Sequence, residues 1–319
     1  MHALLAQLKH ELKRFSATPN SIETMFIGGG TPSTVSPQLY KPIFALLQPY
    51  FTKDIEITSE ANPNSATYKW LQGMYSLGVN RISFGVQSFH EKKLKLLNRA
   101  HSSQMAVDAI QNAAKIGYEN LSLDLIYATL GDTKELLQHD IKKALSLPIN
   151  HISAYALTIE EGTAFASQPQ MSAEELSLTS WIFDTIKKAG LPQYEISNFG
   201  EYQSAHNLGY WLYKDYMGVG AGAVGKLQNE RFYPLQDIEQ YINKPLDISQ
   251  EKLSEEDIKI EKLFLGLRSC VGINKALLTQ EECNRAMILL KEKKLTLKGE
   301  TFYNQNFLLS DEIVLFLSS

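Results

Sequence analysis

Short apolar segments alternate with longer amphipathic segments over the first 200 residues, and this order limits the fold more than any other feature. The segments of strand type are residues 22–27, 55–60, 81–86, 121–127, 151–157 and 193–197. The segments of helical type lie at 37–51, 65–77, 103–116, 134–147 and 172–189. A repeat of roughly 30 residues per strand and helix is typical of right-handed βαβ units, so we expect a parallel sheet.

Polar sequences follow the ends of the predicted strands and decide between an open sheet and a barrel. They read GGGTPS, SEANP, GVQSF, DLIYA, YALTIE and EISNFG. A doubly wound open sheet uses mainly two such loops at its cleft, whereas a barrel gathers groups from many strand ends into one mouth. Six polar strand ends therefore favour an α/β barrel or a partial barrel.

The two ends of the chain differ from this repeat. Leu5, Leu8, Leu12 and Phe15 have helical spacing, so we expect an amphipathic helix at the start with no strand before it. After residue 225 the sequence is charged and rich in helical segments, followed by a hairpin pattern whose turn falls at 298–300. We expect a barrel domain at 1–225 and a small α+β domain at 226–319 that resembles a winged helix in outline.

The composition of the chain limits the classes of partner that it is expected to bind. The net charge of −4 and the isoelectric point near 6.0 give no basic footprint for nucleic acid or an anionic membrane. Gln7, Lys9 and Glu11 interrupt the continuous apolar core that a signal peptide would need at the N-terminus, and no later segment resembles a membrane span. We therefore predict a cytoplasmic protein without a transmembrane segment. Cys270 and Cys283 form neither a disulfide framework nor a C-x-x-C metal pair, and we expect buried thiols.

Three consecutive glycines, Gly28, Gly29 and Gly30, follow the first predicted strand and precede Thr31 and Pro32. Glycine permits positive φ and a close approach of the backbone to a ligand. The pattern is neither G-x-G-x-x-G nor a Walker loop. A sharp structural turn and the wall of a small-molecule site both remain open.

A set of charged and amide side chains also falls at or after the strand ends: Glu60, Gln87, Arg99 and Asp124. A carboxylate at such a position needs a cation, a hydroxyl or backbone N–H groups as a partner. Two carboxylates, an amide and an arginine suit a ligand with ammonium, carboxylate and ribose hydroxyl groups. An internal salt-bridge network that closes the barrel is the alternative.

His206 is followed by Tyr210 and Trp211 in the sequence HNLGYW. The histidine offers an axial nitrogen and the two aromatic rings offer flat apolar faces, which suits a planar macrocycle. A hydrogen-bonded structural histidine is the other interpretation.

Several motifs occur in a fixed order along the chain: GGGTPS, EANPNS, GVNRISFGVQSF, LNRAHSS, LSLDLIYA, YEISNF and HNLGYW. This ordered set resembles the radical S-adenosylmethionine proteins related to oxygen-independent coproporphyrinogen III oxidase. Within that group the chain looks most like the HemW-type haem chaperones. The resemblance implies a partial (β/α)6 barrel that holds S-adenosylmethionine against a [4Fe-4S] cluster. It further implies that Gly29, Gly30 and Thr31 line the methionine end, and that the rest of the molecule is bound by Glu60, Gln87, Arg99 and Asp124. His206, in the H-N-x-x-Y-W motif, becomes a candidate haem ligand.

The sequence departs from the family where the cluster is held. Relatives use C-x-x-x-C-x-x-C after a first barrel strand, upstream of the helix that opens this chain, and neither feature is in the printed sequence. As printed, the chain is not expected to assemble the cluster. A misplaced start codon, a truncated chain and a natural member without a cluster are three explanations. DLIYATLGDT and Ala205 also depart from the usual family pattern.

The resemblance predicts a haem chaperone that delivers haem to an acceptor protein. Oxygen-independent coproporphyrinogen III oxidase is the enzymatic alternative, and the H-N-x-x-Y-W motif argues against it. A cluster-free protein that only docks partners through its tail is the third hypothesis. Whether the chain catalyses any radical reaction stays open.

Overall fold

The computed structural model describes residues 1–159, 165–172 and 176–319. These residues form two compact units, each made of separate stretches of chain. The sheet unit contains residues 23–44 and 54–203, and the second unit contains 1–22, 45–53 and 204–319. The division at residue 225 stays a prediction.

Residues His2–Arg14 form α1, as the leucine spacing predicts, and this helix belongs to the second unit. The buried Gln7 fixes it there. Its amide nitrogen donates to the Gly218 carbonyl at 3.1 Å, and its oxygen accepts from the Gly220 N–H at 2.9 Å and the Tyr241 hydroxyl at 2.6 Å.

A six-stranded sheet forms the centre of the sheet unit, with its strands in sequential order. They are β1 (Ile22–Ile27), β2 (Phe51–Ala61), β3 (Arg81–Gln87), β4 (Asn120–Tyr127), β5 (His151–Ala156) and β6 (Asn198–Gly200). β2 to β5 pair in parallel. The helices between them are α2 (Pro37–Leu47), α3 (Tyr68–Ser76), α4 (Glu91–Leu96), α5 (Ser103–Ile116), α6 (Lys134–Leu145) and α7 (Leu176–Lys188).

Local sequence explains where several of these helices begin. The side chains of Thr67, Ser102 and Thr133 each accept a hydrogen bond from a backbone N–H in the first turn of α3, α5 and α6. Gly117 ends α5 with φ of 114°, a left-handed conformation that glycine adopts without strain.

The register of the parallel strands gives the sheet two chemically different faces, because alternate residues point to opposite sides. The apolar face carries Ala61, Ile82, Phe84, Leu121, Leu123, Leu125, Ile152, Ala154 and Phe199. Each of these side chains is at most 6% exposed. The polar face carries Thr58, Glu60, Arg81, Ser83, Ser122, Asp124, His151, Ser153, Tyr155 and Asn198.

Two features of the sheet unit differ from the sequence prediction. The last strand is β6, not residues 193–197, and it pairs antiparallel with β5. The chain reverses between Gln193 and Phe199, which form an isolated bridge, so the preceding residues make a loop.

The short helix α4 was not predicted, because its six residues give too little helical pattern.

The second unit holds two small sheets and the remaining helices. The first sheet contains β7 (Gly225–Leu227), β8 (Glu230–Pro234) and β9 (Ile248–Lys252), and the second contains β10 (Ile273–Asn274), β11 (Leu295–Lys298) and β12 (Thr301–Asn304). The helices are α8 (Ala205–Trp211), α9 (Ile238–Asn243), α10 (Glu255–Leu267), α11 (Gln280–Lys291) and α12 (Ser310–Ser318).

The C-terminal elements share an apolar core. Its buried residues are Leu263, Leu267, Ile273, Ala286, Leu289, Leu295, Phe302, Ile313, Val314 and Leu317. The predicted hairpin is present as β11 and β12, and Gly299 in its turn has φ of 58°. The sheet β7–β9 and the terminal helix α12 were not predicted. None of the helices in the described ranges is both long and apolar enough to span a membrane.

A buried ion pair fixes α4 to the loop after β4. Lys93 Nζ lies 2.8 Å from Asp132 Oδ1, and each side chain is 3% exposed. The second oxygen, Asp132 Oδ2, accepts from the Thr129 N–H at 3.0 Å.

We predict that Lys93→Met lowers the free energy of unfolding by about 3–5 kcal/mol, because it leaves the Asp132 carboxylate buried without its cation. Urea unfolding followed by circular dichroism measures this change. The control is Lys187→Met, since the Lys187–Asp184 pair is 44% and 57% exposed. Its removal is expected to cost less than about 1 kcal/mol. Equal losses for the two variants would contradict the structural role given to Lys93.

Candidate binding site at the carboxyl ends of the strands

The glycine loop after β1 lies against the Glu60 carboxylate. A Cβ atom at Gly28 would lie 2.6 Å from the Phe26 ring and 3.0 Å from Glu60 Oε2, so no larger side chain fits there. Gly29 and Gly30 have φ of 76° and 147°, with open space where their side chains would be. A bare backbone therefore faces open space beside a carboxylate.

Neighbouring polar contacts hold this loop. Thr31 Oγ1 accepts from Asn62 Nδ2 at 3.3 Å, and Ser33 Oγ accepts from the Asn62 N–H at 2.9 Å. Ser33 Oγ also lies 2.6 Å from Ser65 Oγ. The sequences GGGTPS and EANPNS therefore fix each other, although they are about 30 residues apart in the chain.

The two predicted carboxylates both have raised pKa values. Burial is the main cause of the raised pKa of Glu60, the Asp124 charge adds to it, and a hydrogen bond from the Gly29 N–H opposes it. Burial raises the pKa of Asp124 to about 6, against hydrogen bonds from Ser153 and Ser83 and the charges of Arg81 and Arg99. A cation bound nearby would lower both pKa values and stabilise the charged carboxylates.

Arg99 lies near Asp124 but, in the described part of the chain, forms an ion pair with neither carboxylate. Burial lowers the pKa of the guanidinium and the Asp124 charge partly restores it. Its buried Nε has no hydrogen-bond partner, and within the described ranges no ion pair of 4.0 Å or less joins Arg99 to Glu60 or Asp124. The internal salt-bridge network, left open by the sequence, is not formed among these described groups. An acidic group of a ligand would satisfy the arginine.

Gln87 ends β3 at an irregularity in the register. Its backbone has φ of 68°, and it pairs with Leu125 after the strand bulges between Phe84 and Gln87. A Cβ at Gly85 would lie 3.0 Å from Gln87 Nε2, so the glycine makes room for the amide. The bulge thus aims Gln87 differently from a regular strand residue.

Sequence reasoning missed several polar-face residues that accompany these groups. Ser83 Oγ donates to Asp124 Oδ1 at 3.4 Å, and Ser153 lies opposite Asp124 in the register. Tyr155 is 42% exposed, yet burial raises the pKa of its hydroxyl and the nearby Asp124 charge adds to the rise. Their alternation along β3 and β5 is visible in the sequence and is the signal that could have identified them.

Glu195 also escaped prediction, because it lies in the loop where a strand was expected. Only 1% of the side chain is exposed, and burial raises its pKa to about 7. The Ser197 N–H donates to Glu195 Oε1 at 3.3 Å. Hydrogen bonds from Asn198 also lower the pKa, but they do not offset burial.

His206 lies in the second unit, in the first turn of α8. Ser204 caps this helix by accepting from the Asn207 N–H at 3.3 Å. The His206 and Tyr210 rings meet edge to face with centroids 5.0 Å apart, and Tyr210 meets Tyr216 in the same way at 4.7 Å. His206 is half-buried and Tyr210 is 40% exposed. Helical spacing thus brings a ring nitrogen and an exposed aromatic face together.

The cysteines do not fit an iron–sulfur cluster. The sequence contains two cysteines, Cys270 and Cys283, whereas a cluster that leaves one iron for another ligand takes three thiolates. Cys270 is exposed, because it lies in the turn after α10, and Cys283 is half-buried in α11, so the prediction of buried thiols is wrong.

Comparisons with known proteins agree with the fold and the motifs. Residues 2–144 match the Radical SAM superfamily. The solved coproporphyrinogen III oxidase (HemN) of Escherichia coli superposes with a TM-score of 0.82 at 18% identity, covering 100% of this chain and 82% of that one. The predicted partial barrel of radical SAM type is thereby confirmed, and the fold and motifs define a radical SAM protein.

Closer relatives refine this assignment. The chain is 33% identical over 285 residues to "Heme chaperone HemW" of Lactococcus lactis subsp. lactis, covering 85% of this chain and 75% of the relative. It is 34% identical over 272 residues to the Bacillus subtilis protein of the same name, covering 80% and 72%. The chain belongs to the HemW family of radical SAM proteins.

The raised carboxyl pKa values predict how stability depends on pH. Glu195 in the folded state binds a proton up to about pH 7, whereas an unfolded glutamate loses it near pH 4.3. The folded state therefore holds more protons in this window, and the free energy of unfolding falls as pH rises through it.

We predict that Glu195→Gln becomes more stable relative to the unsubstituted protein as pH rises from about 5 to about 8, by up to about 3 kcal/mol. The glutamine keeps an oxygen for the Ser197 N–H without carrying a charge. Urea unfolding over this pH range measures the difference. Glu201→Gln, at an exposed site in the same unit, is the control. A stability difference for Glu195→Gln that does not change with pH would refute the assignment.

Proposed function

We propose that this protein is a haem chaperone that binds haem through His206 and passes it to an acceptor protein. The observation that carries this is its membership of the HemW family together with the position of His206. Relatives named as haem chaperones match the chain at 33% and 34% identity over most of its length. His206 lies on α8 beside the exposed ring of Tyr210.

The chemistry of α8 supports a haem ligand. A neutral imidazole is a common axial ligand of haem iron, and flat aromatic rings pack against a porphyrin face. His206, Tyr210 and Tyr216 form a continuous edge-to-face series, so the porphyrin would meet aromatic rings next to the ligating nitrogen. Trp211, the last residue of α8, is half-buried and adds apolar surface to the same helix.

We also propose that the sheet unit binds S-adenosylmethionine. Gly29, Gly30 and Thr31 would take its methionine end, where bare backbone faces open space. The raised pKa values of Glu60 and Asp124 suit a ligand that carries positive charge, and the unpaired Nε of Arg99 suits a carboxylate. Gln87 supplies an amide at the same strand end.

In this proposal the protein residues bind and orient the ligand, and the carboxylates stabilise its positive charge. With an iron–sulfur cluster, S-adenosylmethionine supplies radical chemistry to proteins of this superfamily. The two cysteines of the printed sequence do not provide such a cluster, so we propose no radical step for this chain. We retain residues 1–225 and 226–319 as the proposed domains.

The likeness to coproporphyrinogen III oxidase shows the fold alone at 18% identity. No feature of the described residues favours decarboxylation of a porphyrinogen over haem binding. A protein that only docks partners through residues 226–319 would respond to neither ligand, so a haem titration separates that hypothesis from the proposal.

We predict that adding haem to the purified protein produces a shifted Soret band, and that His206→Ala weakens binding at least about tenfold, which corresponds to about 1.4 kcal/mol. The loss follows from removing the axial nitrogen. Optical titration measures it, and His206→Gln serves as a second variant that preserves side-chain size.

The matched control is His2→Ala, at an exposed histidine of α1 in the same unit. This variant should bind haem like the unsubstituted protein. Unchanged haem affinity in both His206 variants would remove His206 from the proposal, and an absent Soret shift in the unsubstituted protein would remove haem binding itself.

A further inference from the structure

Two histidines and a buried aspartate meet where α6 packs beside the turn that follows β3. His90 immediately precedes α4, and His139 and Asp140 are consecutive residues of α6. The two imidazole rings are edge to face with centroids 4.7 Å apart. One potential ligand atom from each of the three residues lies within 4.8 Å of the others.

Asp140 is held in place by contacts that leave it able to bind a metal ion. It is 2% exposed, Ser88 Oγ donates to Oδ2 at 2.7 Å, and the Phe89 N–H donates to Oδ1 at 2.7 Å. A carboxylate oxygen has two lone pairs, so each oxygen retains one for another partner. The carboxylate is therefore fixed before any ion arrives.

One ring nitrogen of His90 is not accounted for by the contact between the two imidazole rings. Its Nε2 is buried and has no hydrogen-bond partner among the described residues. Buried polar atoms are nearly always paired, and an unpaired one calls for an explanation such as an ion. In the tautomer that carries its proton on Nδ1, this nitrogen has a lone pair that a metal ion would use.

His139 supplies the movable ligand. Its side chain is 56% exposed, and its Nδ1 lies 3.9 Å from Asp140 Oδ1. With metal–nitrogen distances near 2.0–2.1 Å, ligand atoms of a tetrahedral zinc site lie about 3.4 Å apart. The present spacing is wider, so metal binding requires the exposed His139 ring to rotate towards the two more buried groups.

We propose that His90, His139 and Asp140 bind one divalent transition-metal ion of the zinc class. Two imidazoles and one carboxylate match the ligands of zinc and its neighbours in the first row, whereas magnesium and calcium prefer oxygen ligands alone. The three residues leave a fourth position for water. It shares no residue with the proposed haem and S-adenosylmethionine sites, and it uses no cysteine.

The ion would join α6 to the turn that begins directly after Gln87. Asp140 already holds Ser88 and Phe89 of this turn, and His90 is the next residue. Metal binding would therefore rigidify the segment that leads from Gln87 to Arg99, two residues of the proposed S-adenosylmethionine site.

The test is a titration of tag-free, haem-free protein with Co²⁺, whose visible absorption reports coordination, followed by competition with Zn²⁺. We expect one Co²⁺ per chain and displacement by Zn²⁺. His139→Ala should weaken binding at least tenfold, and because the side chain is exposed the fold should be kept. His90→Gln should weaken it similarly.

The controls remove other candidate ligands. His206→Ala and Cys270→Ser should bind Co²⁺ like the unsubstituted protein, since neither residue belongs to the proposed site. Thermal unfolding provides a second measurement, in which Zn²⁺ raises the melting temperature of the unsubstituted protein but not of His139→Ala. An absence of Co²⁺ binding, full affinity in His139→Ala, or loss of binding in either control would overturn the proposal.

Discussion

The structure depends on the alternation of side chains along the parallel strands β2 to β5 of one sheet. Ile82, Phe84 and Leu123 point to the helix-covered side and are fully buried, and this burial is the main favourable contribution to folding the sheet unit. The same alternation sends Glu60 and Asp124 to the opposite face, where desolvation raises their pKa values. The buried apolar core and the carboxylates of the candidate site are thus two consequences of the same strand geometry.

Much of this arrangement is predictable from the sequence, because strand and helix patterns are local. The predicted strand at 22–27 matches β1, and the predicted helix at 103–116 matches α5. The antiparallel β6 was missed, because its pairing depends on where the chain reverses between Gln193 and Phe199. The bulge at Gln87 was also invisible, since register is a property of two strands and not of one.

The residues that fix the loops around the site are the least predictable from the sequence. Asp140 holds the turn after β3 from a helix position 51 residues beyond Phe89, and Lys93 holds the loop after β4 through Asp132. No local pattern marks such contacts, because each depends on burial that tertiary packing creates. Motifs such as GGGTPS and HNLGYW did reveal candidate site residues, since family resemblance records chemistry that periodicity does not.

The central claim is that the polar face binds a cationic ligand through desolvated carboxylates, and proton-linked calorimetry tests it most directly. S-adenosylmethionine would be titrated into the purified protein at pH 6, in two buffers with different ionisation enthalpies. Because the pKa of Asp124 is about 6 and a cation lowers it, the account predicts binding with release of a fraction of a proton. It also predicts weaker binding and less proton release in Asp124→Asn. Absence of binding, or the same affinity and proton release in that variant, would contradict the account.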